Sequence, residues 1–256
     1  MDSYRPSMWN SIPPVVKNII IINVILFLAM IVAGQRWGIN LNDYLGLHYW
    51  ASNKFNLAQI VTYMFMHGGY MHIFFNMFAV FMLGSVLEQT WGSKRFLNFY
   101  MITGIGAGLI QLLVIFIRIS VIQAELPPEL IEQVYTEGKE IWTRGRNYDH
   151  RLGGEIKMMS DLNRLLNAPT VGASGAVFGI LLAFGMMFPN APLYFMFIPV
   201  PIKAKYFVIG YGILSLYLGF ANRAGDNIAH FAHLGGMLFG IILILIWKKN
   251  GTINRY

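Results

Sequence analysis

Hydrophobic residues fall in long uninterrupted runs along this chain rather than in short alternating groups. Six runs are separated by polar or proline-containing segments. Each approaches the ~20 residues that an α-helix needs to cross the hydrocarbon core of a bilayer. The pattern therefore predicts an all-α polytopic membrane protein with six transmembrane helices. The predicted spans cover residues 15–34, 70–88, 96–120, 171–188, 206–221 and 228–247.

The pattern breaks between the third and fourth spans. Residues 121–167 hold most of the acidic side chains of the chain, together with several Arg and Lys residues. Apolar residues recur there at helical spacing in two stretches, the first starting at Pro127-Pro128 and the second covering 158–166. The segment is predicted to form an extra helical hairpin outside the bilayer core.

The distribution of basic residues predicts the orientation. Six spans would place both termini on the same side of the membrane. Nine Lys and Arg residues flank the span ends on that side, and only Arg36, Lys54 and Arg223 lie in the short loops of the other side. By the positive-inside rule both termini are predicted to be cytoplasmic. The nine basic residues are Arg5, Lys17, Lys94, Arg95, Lys203, Lys205, Lys248, Lys249 and Arg255.

Composition agrees with a protein embedded in lipid. Hydrophobic residues make up 56% of the chain and charged residues 12%, and cysteine is absent. The lack of cysteine excludes a disulfide framework and a thiolate nucleophile. Because the basic excess is explained by topology, nucleic acid is not expected as a partner. We predict an integral protein of the bacterial inner membrane.

These observations divide the chain into five parts. Residues 1–14 form a cytoplasmic segment, and 15–120 hold the first three spans with a long interfacial first loop. Residues 121–167 form the extracytoplasmic helical insertion. Residues 168–247 hold spans four to six, and 248–256 form a cytoplasmic tail.

Polar residues on three of the spans are predicted to share one depth. Ser174 lies near the start of the fourth span, His233 near the start of the sixth, and His72 with Asn76 near the start of the second. All three spans would run inward from the outer face, so these side chains should meet at one level. Ionisable groups inside membrane spans are rare and usually functional.

The chemistry suggests a role for each group. Ser174 is a candidate nucleophile because a histidine could take its proton, although small neighbours also suit a helix-packing serine. His230 is an alternative base to His233, but the four-residue spacing of Gly236 and Gly240 favours His233. His72 and Asn76 could donate hydrogen bonds to an oxyanion, and Asn76 alone would also suit an interhelical hydrogen bond.

At these residues the chain resembles the rhomboid family of intramembrane serine proteases. The resemblance lies in Gly172-Ala173-Ser174-Gly175, in His233 followed by Gly236 and Gly240, and in the segment from His67 to Asn76, found in that family's six-helix order. It implies a dyad of Ser174 and His233, with His72 and Asn76 in the oxyanion hole. It also implies structural roles for His67 and for Glu88.

The chain departs from the family pattern at three points. Many relatives have Trp-Arg where this chain has Ala58-Gln59, and the aromatic residue that stacks on the catalytic histidine, often tyrosine, is Phe178 here. The third departure is the length of the insertion. His48 and His150 are predicted to be surface residues, and neither a metal nor a cofactor is expected.

Three functional classes are compatible with a helical membrane protein. An endopeptidase that cleaves the transmembrane segments of other membrane proteins is the function that the resemblance implies. A catalytically silent relative that binds membrane clients is the second, but such relatives usually lack the serine or the histidine. A transporter or channel is the third, and the inverted repeats or paired midplane charges of that class are not evident in the sequence.

Overall fold

Eleven α-helices and one β-hairpin make up the part of the chain that the computed structural model describes, namely residues 11–195, 198–221, 230–251 and 253. Arg5, Arg223 and Arg255 lie outside this part, as do the predicted loop 222–227 and the first two residues of the predicted sixth span. The helices are α1 (Pro14–Trp37), α2 (Asn42–Leu45), α3 (Gln59–Thr62), α4 (Tyr70–Ala79), α5 (Ser85–Trp91), α6 (Ser93–Glu125), α7 (Pro128–Thr143), α8 (Gly154–Asn167), α9 (Ser174–Met187), α10 (Ala204–Ala221) and α11 (His230–Lys249).

Five helices in the described ranges are long and apolar enough to cross a membrane: Pro14–Trp37, Tyr70–Trp91, Ser93–Glu125, Ala204–Ala221 and His230–Lys249. The second of them joins α4 and α5 through a π-helical turn at Val80–Gly84. Large apolar side chains on these helices are exposed, as Ile25, Ile213 and Phe220 illustrate. Contiguous exposed apolar surface of this kind suits lipid rather than water. The predicted class, a helical polytopic membrane protein, is confirmed.

The sixth apolar helix, α9, is short and lies at the centre of the bundle. Its 14 residues correspond to about 21 Å, and all of them except Ser174 and Met186 are buried. It packs between α6 and α11 at very short range. A methyl group on Gly236 of α11 would overlap the carbonyl oxygen of Gly175, and one on Gly179 would lie 2.7 Å from Cβ of Thr103. Small residues thus let the three backbones approach closely.

A β-hairpin replaces the proline-broken loop predicted between the fourth and fifth spans. Strands β1 (Pro192–Phe195) and β2 (Ile198–Lys203) pair antiparallel, with Pro192 opposite Lys203. In a two-stranded sheet both strands are edges, so a proline that cannot donate a hydrogen bond is tolerated. The prolines that indicated a loop are therefore compatible with a strand.

The insertion forms the predicted pair of helices. α7 and α8 pack against the last turns of α6 through a second apolar cluster, separate from the core of the bundle. A 3₁₀ turn, His150–Leu152, lies between the two helices. The buried members of the cluster are Tyr49, Ile115, Ile119, Leu126, Val134, Met159, Leu162, Leu165 and Leu166.

Gln59 organises the long first loop. Its Oε1 accepts a hydrogen bond from the backbone N–H of His48, and its Nε2 donates to the carbonyl oxygens of Tyr44 and Lys54. The prediction that His48 is a surface residue is wrong, because this side chain is fully buried and its Nδ1 lies 3.1 Å from the carbonyl oxygen of Gly46. Burial lowers the pKa of His48 below its ordinary value. His150 is exposed, as predicted.

Glu88 caps the start of α1 from a different helix. Its carboxylate accepts hydrogen bonds from the backbone N–H groups of Val15 (3.0 Å) and Val16 (2.8 Å) and from the hydroxyl of Ser93 (2.6 Å). The first N–H groups of a helix lack partners within it and carry the positive end of the dipole, so a carboxylate is favoured there.

Replacing Glu88 with alanine is expected to lower the free energy of unfolding by about 2 kcal/mol, because a buried carboxylate and its three charge-assisted hydrogen bonds are lost. Thermal unfolding of the purified protein in detergent micelles measures the change. The neighbouring Gln89 is exposed, so Gln89→Ala should change stability by less than about 0.5 kcal/mol. Equal melting temperatures for the two variants would contradict the capping role.

Candidate active site

Ser174 and His233 are in direct contact. Ser174 is the first residue of α9, and His233 lies about one turn from the start of the described part of α11. The Oγ of Ser174 is 2.9 Å from Nε2 of His233. A hydroxyl that hydrogen-bonds to a neutral imidazole can pass its proton to that ring when the oxygen attacks a carbonyl. The structure therefore brings the predicted nucleophile and its predicted base together.

The His233 ring is oriented by stacking. Phe178, one turn after Ser174 on α9, lies parallel to the imidazole with 4.0 Å between ring centroids and 10° between planes. Among the described residues, Nδ1 of His233 has no hydrogen-bond partner. In the described part of the protein, no carboxylate accepts a hydrogen bond from Nδ1 of His233. Stacking on Phe178 orients the ring instead. His230 meets His233 edge-on, with 6.0 Å between centroids.

Gly172 shapes the turn that presents Ser174. Its φ of 126° belongs to a region that residues with a side chain rarely adopt. Its N–H donates to the carbonyl oxygen of Tyr63. This turn explains why α9 begins at Ser174 rather than at Val171, where the sequence predicted the span to start. The backbone N–H of Ser174 thus belongs to the first turn of a helix, where N–H groups have no partner within the helix.

His72 points towards the same turn. A methyl group on Gly172 would lie 2.7 Å from Nε2 of His72 and 3.6 Å from Oγ of Ser174, so both atoms border one small space. The Nδ1 of His72 accepts a hydrogen bond from the N–H of Gly68 at 3.3 Å. In a neutral imidazole with Nδ1 as acceptor, the hydrogen is on Nε2. His72 consequently presents an N–H donor at the Ser174 side.

His67 supports His72 from behind. The two rings meet edge-on with 5.0 Å between centroids, and His67 is fully buried. Burial, and next the neighbouring His72, lower the pKa of His67 to about 3. His67 is therefore uncharged at neutral pH, and its contact with His72 is one of packing.

Asn76 lies one turn beyond His72 on α4 and is 5% exposed. Within the described part of the chain its Nδ2 has no acceptor. A buried amide donor without a partner is costly and uncommon. The Nδ2 of Asn76 can therefore donate to an acceptor that a ligand supplies.

Tyr63 is a residue of the site that the sequence did not indicate. Its carbonyl oxygen accepts from Gly172, and its hydroxyl donates to the carbonyl oxygen of Gly104 on α6 at 2.6 Å. It thereby fixes the turn before Ser174 to the neighbouring helix. Both contacts join residues more than 40 positions apart, and no local pattern marks them.

Among the described residues no three His, Asp or Glu side chains gather as a metal site would require.

The sequence matches the model of a known protein family. A family model described as "Rhomboid domain" matches residues 54–120 and 153–250. The unmatched residues 121–152 include α7 and the end of α6, which is the first part of the predicted insertion. The matched ranges contain all the residues described above that surround Ser174.

Two plant proteins are similar to most of the chain. RHOMBOID-like protein 12, mitochondrial, from Arabidopsis thaliana is 28% identical over 237 residues, which cover 92% of this chain. RHOMBOID-like protein 5 from the same plant is 25% identical over 188 residues, which cover 73% of this chain. The matches span 58% and 44% of the lengths of these two relatives. From the extent of the family match, the chain belongs to the rhomboid family.

Proposed function

We propose that this protein is an intramembrane serine endopeptidase that cleaves transmembrane segments of other membrane proteins. The observation that carries the proposal is the 2.9 Å contact between Oγ of Ser174 and Nε2 of His233. Family membership and the Nε2 of His72, which borders the same small space beside Gly172, support it. Ser174 is the nucleophile, His233 is the general base, and His72 with Asn76 forms the oxyanion hole.

The reaction follows from these positions. The Oγ of Ser174 attacks the carbonyl carbon of the scissile peptide, and its proton passes to Nε2 of His233. The carbonyl oxygen becomes an oxyanion, which Nε2–H of His72, Nδ2–H of Asn76 and the N–H of Ser174 stabilise. The protonated His233 then donates its proton to the leaving amine as the tetrahedral intermediate collapses to an acyl-enzyme. Water attacks the ester with His233 again as base, which releases the acid and restores the hydroxyl of Ser174.

We also propose an orientation. The described basic residues Lys17, Lys94, Arg95, Lys248 and Lys249 lie near helix ends remote from Ser174, so the positive-inside rule directs those ends to the cytoplasm. Ser174 then lies towards the outer face, and substrates are cut near their extracytoplasmic ends. The location that we propose is the bacterial inner membrane. The word "mitochondrial" in the name of one relative describes that protein.

The proposed function is tested by covalent modification and cleavage in the same preparation. The protein, reconstituted in lipid vesicles, should react with a fluorophosphonate, and peptide mass spectrometry should locate one phosphonyl adduct on Ser174. A co-reconstituted transmembrane reporter should be cut, and prior modification should stop the cutting.

Two outcomes would contradict the proposal. An adduct on a different serine, with cleavage retained, would exclude Ser174 as the nucleophile. Capture of the intact reporter with neither adduct nor cleavage would instead support the catalytically silent client-binding protein.

A further inference from the structure

Three asparagine side chains form a continuous hydrogen-bonded chain between the inserted helices and the segment before Ser174. The Nδ2 of Asn163 donates to Oδ1 of Asn147 at 3.0 Å. The Nδ2 of Asn167 donates to Oδ1 of Asn163 at 2.8 Å and to its carbonyl oxygen at 3.0 Å. At the far end, Nδ2 of Asn147 donates to the carbonyl oxygen and the hydroxyl of Ser160, both at 3.0 Å.

Two of the three asparagines of this amide chain are buried, the third, Asn147, is half-buried, and no amide group of the three can be reversed without losing hydrogen bonds. Asn163 is fully buried and Asn167 is 6% exposed. The Oδ1 of Asn147 accepts from Asn163 and also from the N–H of Tyr148 at 2.9 Å. Turning any one amide over would set donor against donor or acceptor against acceptor inside the protein, which is costly. The three side chains therefore hold each other in one arrangement.

Helix α7 packs against Asn163, the middle one of the three asparagines. Gly138 packs against Asn163 so closely that a methyl group at Gly138 would overlap Oδ1 of Asn163. Gly138 and Asn147 both lie in residues 121–152, the part that the family model does not match, whereas Asn163 and Asn167 lie in the matched part. The hydrogen bonds among these asparagines thus join residues 121–152 to the part of the protein that the family model matches.

Asn167, at the other end of the three hydrogen-bonded asparagines, lies close to Ser174 in the sequence. Asn167 is the last residue of α8, and six residues separate it from Ser174. Thr170 exchanges two backbone hydrogen bonds with Leu47, and Gly172 donates to Tyr63. Among the described residues, the segment before Ser174 is thus held by the first loop in its middle and by the amide chain at its start.

We propose that Asn163 is a positioning residue through which α7 sets the place of Ser174 relative to His233 and the oxyanion donors. The inference rests on the proposed function. A shift of about 1 Å in a reacting group can lower the rate ~10²-fold, because the bound complex no longer reaches the attacking geometry. Loosening the amide chain therefore affects the chemical step more than substrate binding.

The test uses two variants that loosen the chain in different ways. Asn163→Ala removes the central amide, and Gly138→Ala keeps all three amides but pushes α7 away from them. Each is expected to lower kcat for reporter cleavage about tenfold with KM within about twofold, which places the defect after binding. The rate of fluorophosphonate reaction at Ser174 should fall by a similar factor, since it reports the nucleophile without the substrate.

Matched controls separate positioning from general stability. Asn23 is a buried asparagine on α1 whose Nδ2 donates to the carbonyl oxygen of Ile19, and Gly34 is a helical glycine at which a methyl group would meet only the carbonyl oxygen of Ile39, at 4.0 Å. Asn23→Ala should lower the melting temperature by about as much as Asn163→Ala and leave kcat near the wild-type value. Gly34→Ala should leave kcat unchanged and should not lower the melting temperature, since alanine favours a helix more than glycine does.

The outcomes distinguish this inference from the proposed function. Wild-type kcat and labelling rate in Gly138→Ala, or a kcat for Asn163→Ala equal to that of Asn23→Ala, would overturn the positioning role alone. If Asn163→Ala does not fold, Gly138→Ala decides by the same criterion. Failure of the wild-type protein both to cleave and to react would overturn the proposed function, and the inference with it.

Discussion

Replacing Ser174 or His233 with alanine is expected to lower kcat/KM for cleavage of a transmembrane reporter by at least ~10⁴-fold, as removal of a nucleophile or its base does in serine proteases on other folds. The two side chains act as a unit through the 2.9 Å contact between Oγ and Nε2. The double variant should therefore be no slower than either single variant. Cleavage is measured with purified protein in lipid vesicles, where enzyme and reporter concentrations are known.

Two other residues provide the controls. Ser215 is a buried serine on α10, and Ser215→Ala should retain cleavage within about threefold of wild type, since its hydroxyl is not a reacting group. His230→Ala tests the alternative base, and we expect it to retain at least about a tenth of the activity. A loss of ~10⁴-fold in His230→Ala with activity retained in His233→Ala would reverse the assignment of the base.

The sequence was informative about the site because the site uses local patterns. Gly175 next to Ser174, and Gly236 one turn after His233, follow from the need for close backbone approach. Gly172 follows from the positive φ of the turn before Ser174. The spacing of His72 and Asn76 follows from a single helix face. Such patterns repeat within one or two helical turns and are visible without coordinates. The number of apolar helices could be predicted for the same reason, since each forms one continuous run.

Features that depend on distant contacts could not be predicted. His48 was expected at the surface, yet Gln59 holds the loop around it with three hydrogen bonds and the His48 side chain is buried. Nothing in the sequence marks Tyr63, whose carbonyl oxygen accepts a hydrogen bond from the N–H of Gly172, more than 100 positions away. The span 171–188 was too long at its start because the apolar residues Val171 and Ala173 continue the pattern, whereas the backbone of Gly172 interrupts the helix.

Removal of either side-chain donor of the proposed oxyanion hole is the second large effect that we expect. His72→Ala and Asn76→Ala should each lower kcat by ~10²–10³-fold with little change in KM, because the hydrogen bonds are made to the charge of the transition state rather than to the bound substrate. For His72 the argument is its tautomer, which presents Nε2–H beside Gly172. For Asn76 it is the buried Nδ2, which has no acceptor within the described residues.

A tetrahedral inhibitor distinguishes this role from packing. A peptide aldehyde forms a hemiacetal with Ser174, and its oxygen would occupy the oxyanion position. Its affinity should fall in His72→Ala and Asn76→Ala by about the factor lost in kcat. Asn23→Ala, the control with a buried asparagine on α1, should leave inhibitor affinity unchanged. If the two variants lower the melting temperature but bind the aldehyde as the wild type does, His72 and Asn76 serve to pack α4 against its neighbours. The N–H of Ser174 would then be the remaining donor of the oxyanion hole described above.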